Sequence, residues 1–160
     1  MNVVFEDFVV AALRNELRPR NRRLVHWARG RSLSLDSSGR VRLEPDLSIW
    51  DGNRCVFVGD CKYKRVNVAG IKHPDLYQLL AYAIAADLPA GLVVYAAGEA
   101  DPIVHEIPLA GKHLHIVSLD LSGSPGQLLM EVRGLRALIE RHIAGTARSA
   151  VDSEDRLKLA

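Results

Sequence analysis

The sequence predicts an α/β domain with a mixed central β-sheet flanked by helices. Three observations predict it. Helical patterns open the chain, recur in its middle and close it, with strand-like runs between them. Asp51-Gly52-Asn53-Arg54 is a hairpin signal between two apolar runs. Gly91–Ala96 is apolar without alternation, as expected of a central strand covered on both faces.

Residues 3–17 read as a helix, because Phe5, Val9, Ala12 and Leu13 recur at helical spacing and Pro19 ends the pattern. Residues 18–30 are basic and read as irregular. Short strands are expected at Leu33–Leu35 and Val41–Leu43, on either side of the Ser37-Ser38-Gly39 turn. Asp46–Trp50 and Cys55–Tyr63 are longer strands. Residues 65–73 form a loop, and Pro74 opens a helix to about Asp87, stopped by Pro89 and Gly91. Ile103–Ile107 and His113–Leu119 are further strands about a Pro108–Lys112 turn. Ser124-Pro125 opens a last helix with Leu128, Leu129, Val132, Leu135, Leu138 and Ile139 on its buried stripe. From about Gly145 the composition turns small and polar. Residues 1–145 are therefore expected to be the domain and 146–160 a flexible tail.

At 160 residues and 48% apolar, the chain is long enough for one self-sufficient core. No apolar run approaches membrane-spanning length, and the start lacks the basic and apolar regions of a signal peptide. Cys55 and Cys61 have no zinc-type histidine spacing, which fits a reducing, cytoplasmic compartment. No G-x-x-x-x-G-K-[ST] loop is present, so any nucleotide-driven motor would be another chain. The net charge is only +2, but the positive charge is bunched. Arg20, Arg22, Arg23, Arg29 and Arg31 form one group and Lys64, Arg65 and Lys72 another, both suited to phosphate and hence to DNA. A solvated basic loop is the plainer alternative for the arginines.

The informative stretch is Pro45-Asp46-Leu47, then Gly59-Asp60-Cys61-Lys62-Tyr63-Lys64 across the hairpin. Side chains alternate along a strand, so Asp60 and Lys62 share a face and Cys61 takes the opposite one. With a three-residue loop, Gly52-Asn53-Arg54, Asp51 pairs with Cys55, and Asp46 stands opposite Asp60 at roughly 5 Å. A two-residue loop would send the two acids to opposite faces. Two carboxylates that close need a proton or a cation between them. Oxygen-only ligands suit Mg²⁺, with Mn²⁺ as substitute. Lys62 beside them supplies a fixed positive charge for a phosphodiester. An isolated D-x-K is more often an ordinary surface pair. Here the apolar flanks, the upstream Pro-Asp and the basic groups weigh against that reading. Trp50 could wall the site or belong to the core. His26-Trp27 could touch a base or anchor the loop, and His105, His113 and His115 read as solvent-facing. Gln78 and Tyr82, at i and i+4, share one helix face.

These residues resemble the PD-(D/E)xK nuclease superfamily. The closer resemblance is to the C-terminal nuclease domain of McrC-type subunits of McrBC restriction systems. It runs through Met1-Asn2-Val3-Val4-Phe5-Glu6-Asp7-Phe8-Val9, Pro45-Asp46-Leu47, Asp60-Cys61-Lys62-Tyr63-Lys64 and Asp75-Leu76-Tyr77-Gln78-Leu79-Leu80-Ala81-Tyr82-Ala83. The resemblance implies a restriction-endonuclease-like fold and Mg²⁺-dependent endonuclease activity on DNA. It implies Asp46, Asp60 and the Cys61 carbonyl as metal ligands, Lys62 as catalytic lysine, Glu6 as a supporting acid, and Gln78 and Tyr82 as a flanking element. It also implies a McrB-type GTPase motor as partner. Separately, a double-strand break from one-site subunits would need two copies, which leaves a homodimer open. McrC-type proteins carry a further N-terminal domain ahead of the nuclease, and the likeness here is to the nuclease part alone. The alternatives are a catalytically silent DNA-binding or assembly module, and a related nuclease such as a junction resolvase or RNase.

Overall fold

The computed structural model describes residues 2–17, 24–26, 31–63, 73–96 and 102–158. In chain order the elements are α1 (Asn2–Leu17), β1 (Leu24–His26), β2 (Leu33–Ser34), β3 (Arg42–Leu43), β4 (Leu47–Asp51), β5 (Arg54–Lys62), α2 (His73–Ala85), β6 (Ala90–Ala96), β7 (Ile103–Ile107), β8 (Lys112–Leu119) and α3 (Pro125–Lys158). Six strands form one mixed sheet in the order β1-β4-β5-β6-β8-β7, while β2 and β3 pair separately.

The topology follows from connection lengths. The short Gly52-Asn53 turn makes β4 and β5 antiparallel. β5 and β6 are parallel, and α2 is the crossover that parallel neighbours require. β6 sits between β5 and β8, parallel to both, which accounts for its unbroken apolar sequence. β7 closes one edge antiparallel to β8. The other edge corrects the sequence reading. Leu24–His26, expected to be irregular, forms β1 and pairs with β4. Flanking arginines obscure a three-residue strand, which only the unpaired edge of β4 reveals.

Two apolar layers hold the sheet. On one face α1 and α3 pack Phe5, Val9, Leu13, Val132, Leu135 and Ile139 against Leu47, Ile49, Phe57, Leu92 and Leu119. On the other, α2 and the β2–β3 hairpin pack Leu79, Tyr82 and Leu33 against Trp50, Val58, Val93, Tyr95 and Ile116. The α3 start is a reciprocal cap. The Ser124 N–H donates to Gln127 Oε1 at 2.7 Å, and the Gln127 N–H donates to Ser124 Oγ at 3.4 Å. The α3 backbone stays helical past Gly145 to Lys158, where composition alone suggested a tail. On the α3 face His115 and His142 rings meet edge-on at 4.4 Å, so His115 is partly covered and not solvent-facing. His105 is likewise half-covered, its Nε2 buried.

Backbone approach is tightest at Gly59, where a Cβ would stand 2.8 Å from the Leu92 carbonyl oxygen of β6. Backbone cannot yield there as a side chain could. Gly59→Ala is therefore expected to cost about 1–3 kcal/mol by urea denaturation. Wild-type stability in that variant would show that β5 and β6 can separate without penalty.

Candidate functional site

The site depends on the β4–β5 register, and the hairpin reaches it by a route the sequence reading did not anticipate. The turn has two residues, with Gly52 at φ 59 and Asp51 paired to Arg54. A two-residue turn alone would put Asp46 and Asp60 on opposite faces. A β-bulge between the Ile49 and Trp50 pairings compensates. Trp50 pairs with Cys55 and Ile49 with Phe57, so Val56 is the additional residue of β5. Val56 and Phe57 both join the α1/α3 core, while Cys55 and Val58 join the α2 core. Beyond the bulge Leu47 pairs with Gly59, and one step further Asp46 faces Asp60. The expected facing pair is present, but the three-residue loop is not.

Asp60 lies under α2 and is only 2% exposed, whereas Asp46 is half-buried just ahead of β4. Their side chains are within hydrogen-bonding reach of each other. One Asp46 oxygen, Oδ2, accepts the Cys61 backbone N–H at 2.9 Å, which anchors that carboxylate to β5. Lys62 Nζ forms an ion pair with Asp60 Oδ2. Burial first, then the Asp46 carboxyl beside it, push the Asp60 pKa up to about 7, against the opposing pull of Lys62. Burial alone would lower the Lys62 pKa, but Asp60, then Asp46 and Asp75, raise it, so this lysine stays charged.

Tyr82 projects from α2 into this layer and is buried, its hydroxyl contacting the Glu44 carbonyl oxygen at 3.4 Å. Gln78, exposed one turn earlier, hydrogen-bonds the Tyr82 side chain, so the two share a helix face as their spacing implied. Burial, then the charges of Asp60 and Asp46, raise the Tyr82 pKa and keep the phenol neutral. Cys61 points to the opposite core, and burial holds its thiol protonated. Trp50 is core, donating its indole N–H to Ser48 Oγ at 3.0 Å. Arg31 stacks on Trp50 at 5.0 Å and donates to the Gly52 carbonyl at 2.6 Å, so it braces the hairpin. Arg20, Arg22, Arg23, Arg29, Lys64, Arg65 and Lys72 lie outside the described residues, as does Trp27.

Glu6 sits half-buried on α1, the layer across the sheet, where its charge acts on Cys61. Among the described residues no three His, Cys, Asp or Glu side chains gather as a metal site. What the structure offers is a pair of carboxylates with a lysine. An oxygen-only pair, half open on the Asp46 side, fits a hard divalent cation that retains water ligands. The crowding of Asp60 and Asp46 is the physical reason a cation would be welcome there.

Two residues of this layer were not assigned a role from the sequence. Tyr95 of β6 donates its hydroxyl to Asp75 Oδ2 at 2.7 Å, and both are buried. The available signal was a tyrosine inside a strand buried on both faces, whose hydroxyl must find a partner.

A mixed sheet with a helical crossover between two parallel central strands, and two acids and a lysine on the adjoining hairpin, defines a PD-(D/E)xK-type α/β domain. The family model for the McrBC 5-methylcytosine restriction system component matches residues 1–96, and the chain belongs to that family, as its McrC-type sequence resemblance implied. Among solved structures it is similar to a chain of the Thermococcus gammatolerans assembly of McrB AAA+ hexamers with bound McrC. The TM-score is 0.57 at 16% identity, covering 84% of this chain and 33% of that one. This chain thus spans about one third of that neighbour, and the likeness concerns the fold. No curated protein matches the chain significantly.

The Asp60 pKa has a consequence for stability. Its folded value, about 7, lies above the ordinary 3.8, so between those values the folded state holds more protons than the unfolded one. Stability must then fall as pH rises through that window. His142 titrates over part of the same range with the opposite sign. Burial first, then His115, Arg141 and His113, lower it to about 4, so its contribution is lost as pH falls. The comparison is therefore between proteins. In EDTA, Asp60→Asn should gain roughly 2–4 kcal/mol on wild type between pH 4 and 8 by urea denaturation. Parallel stability curves would mean that Asp60 is not crowded.

Proposed function

We propose that this domain is the metal-dependent nuclease part of a McrBC-like restriction system, hydrolysing DNA phosphodiester bonds. The observation that carries the reading is Asp46 facing Asp60 on one sheet face, with Lys62 ion-paired to Asp60. Family membership supports the restriction-system setting.

Asp46 and Asp60 would hold Mg²⁺, or Mn²⁺ in its place, with the Cys61 carbonyl as the backbone ligand implied by resemblance. When bound, the ion would polarise the scissile phosphate and lower the pKa of the attacking water. The remaining work belongs to the chain. The Cys61 N–H fixes one Asp46 oxygen, so that carboxylate presents a set direction. Lys62, held charged by its acidic neighbours, stabilises the negative charge that builds on the phosphate oxygens. Tyr82, kept neutral, and Gln78 line the α2 side as hydrogen-bonding groups. Glu6 would be the supporting acid that the resemblance implies. The basic groups at Arg20, Arg22, Arg23, Arg29, Lys64, Arg65 and Lys72 would position the phosphate backbone without reading sequence. Arg31, already engaged with Trp50 and Gly52, would contribute mainly by holding the hairpin.

A McrB-type motor is the proposed partner, since the solved neighbour comes from an assembly of McrB AAA+ hexamers with bound McrC. Cytoplasmic function in defence follows from the same setting, and among the described residues no helix is long and apolar enough to cross a membrane.

Incubation with supercoiled plasmid in Mg²⁺, Mn²⁺ or EDTA tests the reading. Nicking is expected with either metal, abolished by EDTA and reduced at least about 100-fold in Asp60→Ala and Lys62→Ala. If wild type binds DNA but leaves it intact, even with a McrB-type partner and nucleotide, the domain is a binding module.

A further inference from the structure

The nuclease reading gives Lys62 one ion-paired acid, Asp60, but the charge of a further acid, Asp75, also acts on the same ammonium. Lys62 and Tyr95 are direct neighbours across the parallel β5–β6 pair, on the α2 face. The Tyr95 hydroxyl holds Asp75 Oδ2 at 2.7 Å. Asp75 is 6% exposed in the first turn of α2, and its charge acts on the Lys62 ammonium, as do those of Asp60 and Asp46. A buried carboxylate is costly unless hydrogen-bonded and faced by positive charge. Tyr95 supplies a hydrogen bond, and among the described residues Lys62 is a cation on which Asp75 acts. Asp75 also links elements, because it begins the helix that carries Gln78 and Tyr82.

We propose that Asp75, fixed by Tyr95, is a positioning residue for Lys62 that retains the ammonium when a divalent cation engages the Asp60 carboxylate. This rests on the metal-dependent reading above. In the cation-free protein Lys62 pairs with Asp60. A carboxylate engaged by a divalent cation offers less negative charge to a lysine, and an ammonium without a fixed anion would turn toward water. Asp75 lies away from the Asp46 side and has its direction set by a phenol in β6. It can keep Nζ beside the site without competing for the cation.

The test reads Lys62 itself. The full-length protein is treated with acetic anhydride, with and without Mg²⁺, and acetylation of Lys62 is followed by mass spectrometry. In EDTA, wild type and Asp75→Asn should label alike, because Asp60 holds the lysine in both. In Mg²⁺, Asp75→Asn should label several-fold faster than wild type. Tyr95→Phe should shift the same way by less, and it decides the matter if Asp75→Asn does not fold. Among folded variants, kcat for plasmid nicking should fall with KM little changed. Equal Lys62 labelling in wild type and variants, with Mg²⁺ binding shown by calorimetry, overturns the role of Asp75 and leaves the nuclease reading standing. Absence of Mg²⁺ binding to wild type removes the metal reading and this inference with it.

Discussion

One additional residue in one strand carries the arrangement of the site. Period-two alternation means that a register change of one residue moves every side chain of β5 beyond it to the other face. The two-residue Gly52-Asn53 turn and the bulge at Val56 are each a shift of that kind, and they cancel. Because they cancel, Asp60 and Lys62 lie with Asp46 beneath α2, and Cys61 packs into the opposite core. The bulge also lets Val56 and Phe57 both reach the α1/α3 layer, so apolar burial at one end of the hairpin supports the polar pair at the other.

That pair is placed where charge is expensive. Asp60 is nearly inaccessible, and the groups around it are the partly covered Asp46, a lysine and two buried phenols. In so dry a setting like charges repel strongly and an unpaired carboxylate is costly, which is why the Asp60 pKa is pushed up. Lys62 relieves one oxygen, and the Cys61 N–H satisfies one oxygen of Asp46. The result is a site with acidic capacity to spare, on the C-terminal half of β5, where parallel pairing to β6 brings Tyr95 and, through it, Asp75 into the same layer.

The opposite layer provides rigidity. β6 is paired on both sides and covered on both faces, Gly59 lets β5 press against its backbone, and α1 and α3 close the far side. His142, packed on Phe57 and His115 with both ring nitrogens buried, shows that this layer tolerates some polar cost of its own.

Much was determined by local pattern. Helical periodicity located α1, α2 and α3, apolar runs located β4 to β8, and alternation alone put Asp60 and Lys62 on one face with Cys61 on the other, since these depend only on residues near in sequence. The pairing of Gln78 with Tyr82 was legible for the same reason. The hairpin sequence predicted a turn but not its length, because a two-residue turn with a bulge and a three-residue turn without one end in the same register. Competition between packing on the two faces selects between them. Long-range contact decided the rest. β1 exists because β4 has an open edge, α1 with Glu6 packs on the face opposite α2, and Asp75 meets Tyr95 because a helix and a strand far apart in sequence converge beneath one layer. No short stretch of residues encodes such meetings, for they arise only when the sheet is assembled and each buried polar group must find its partner in space.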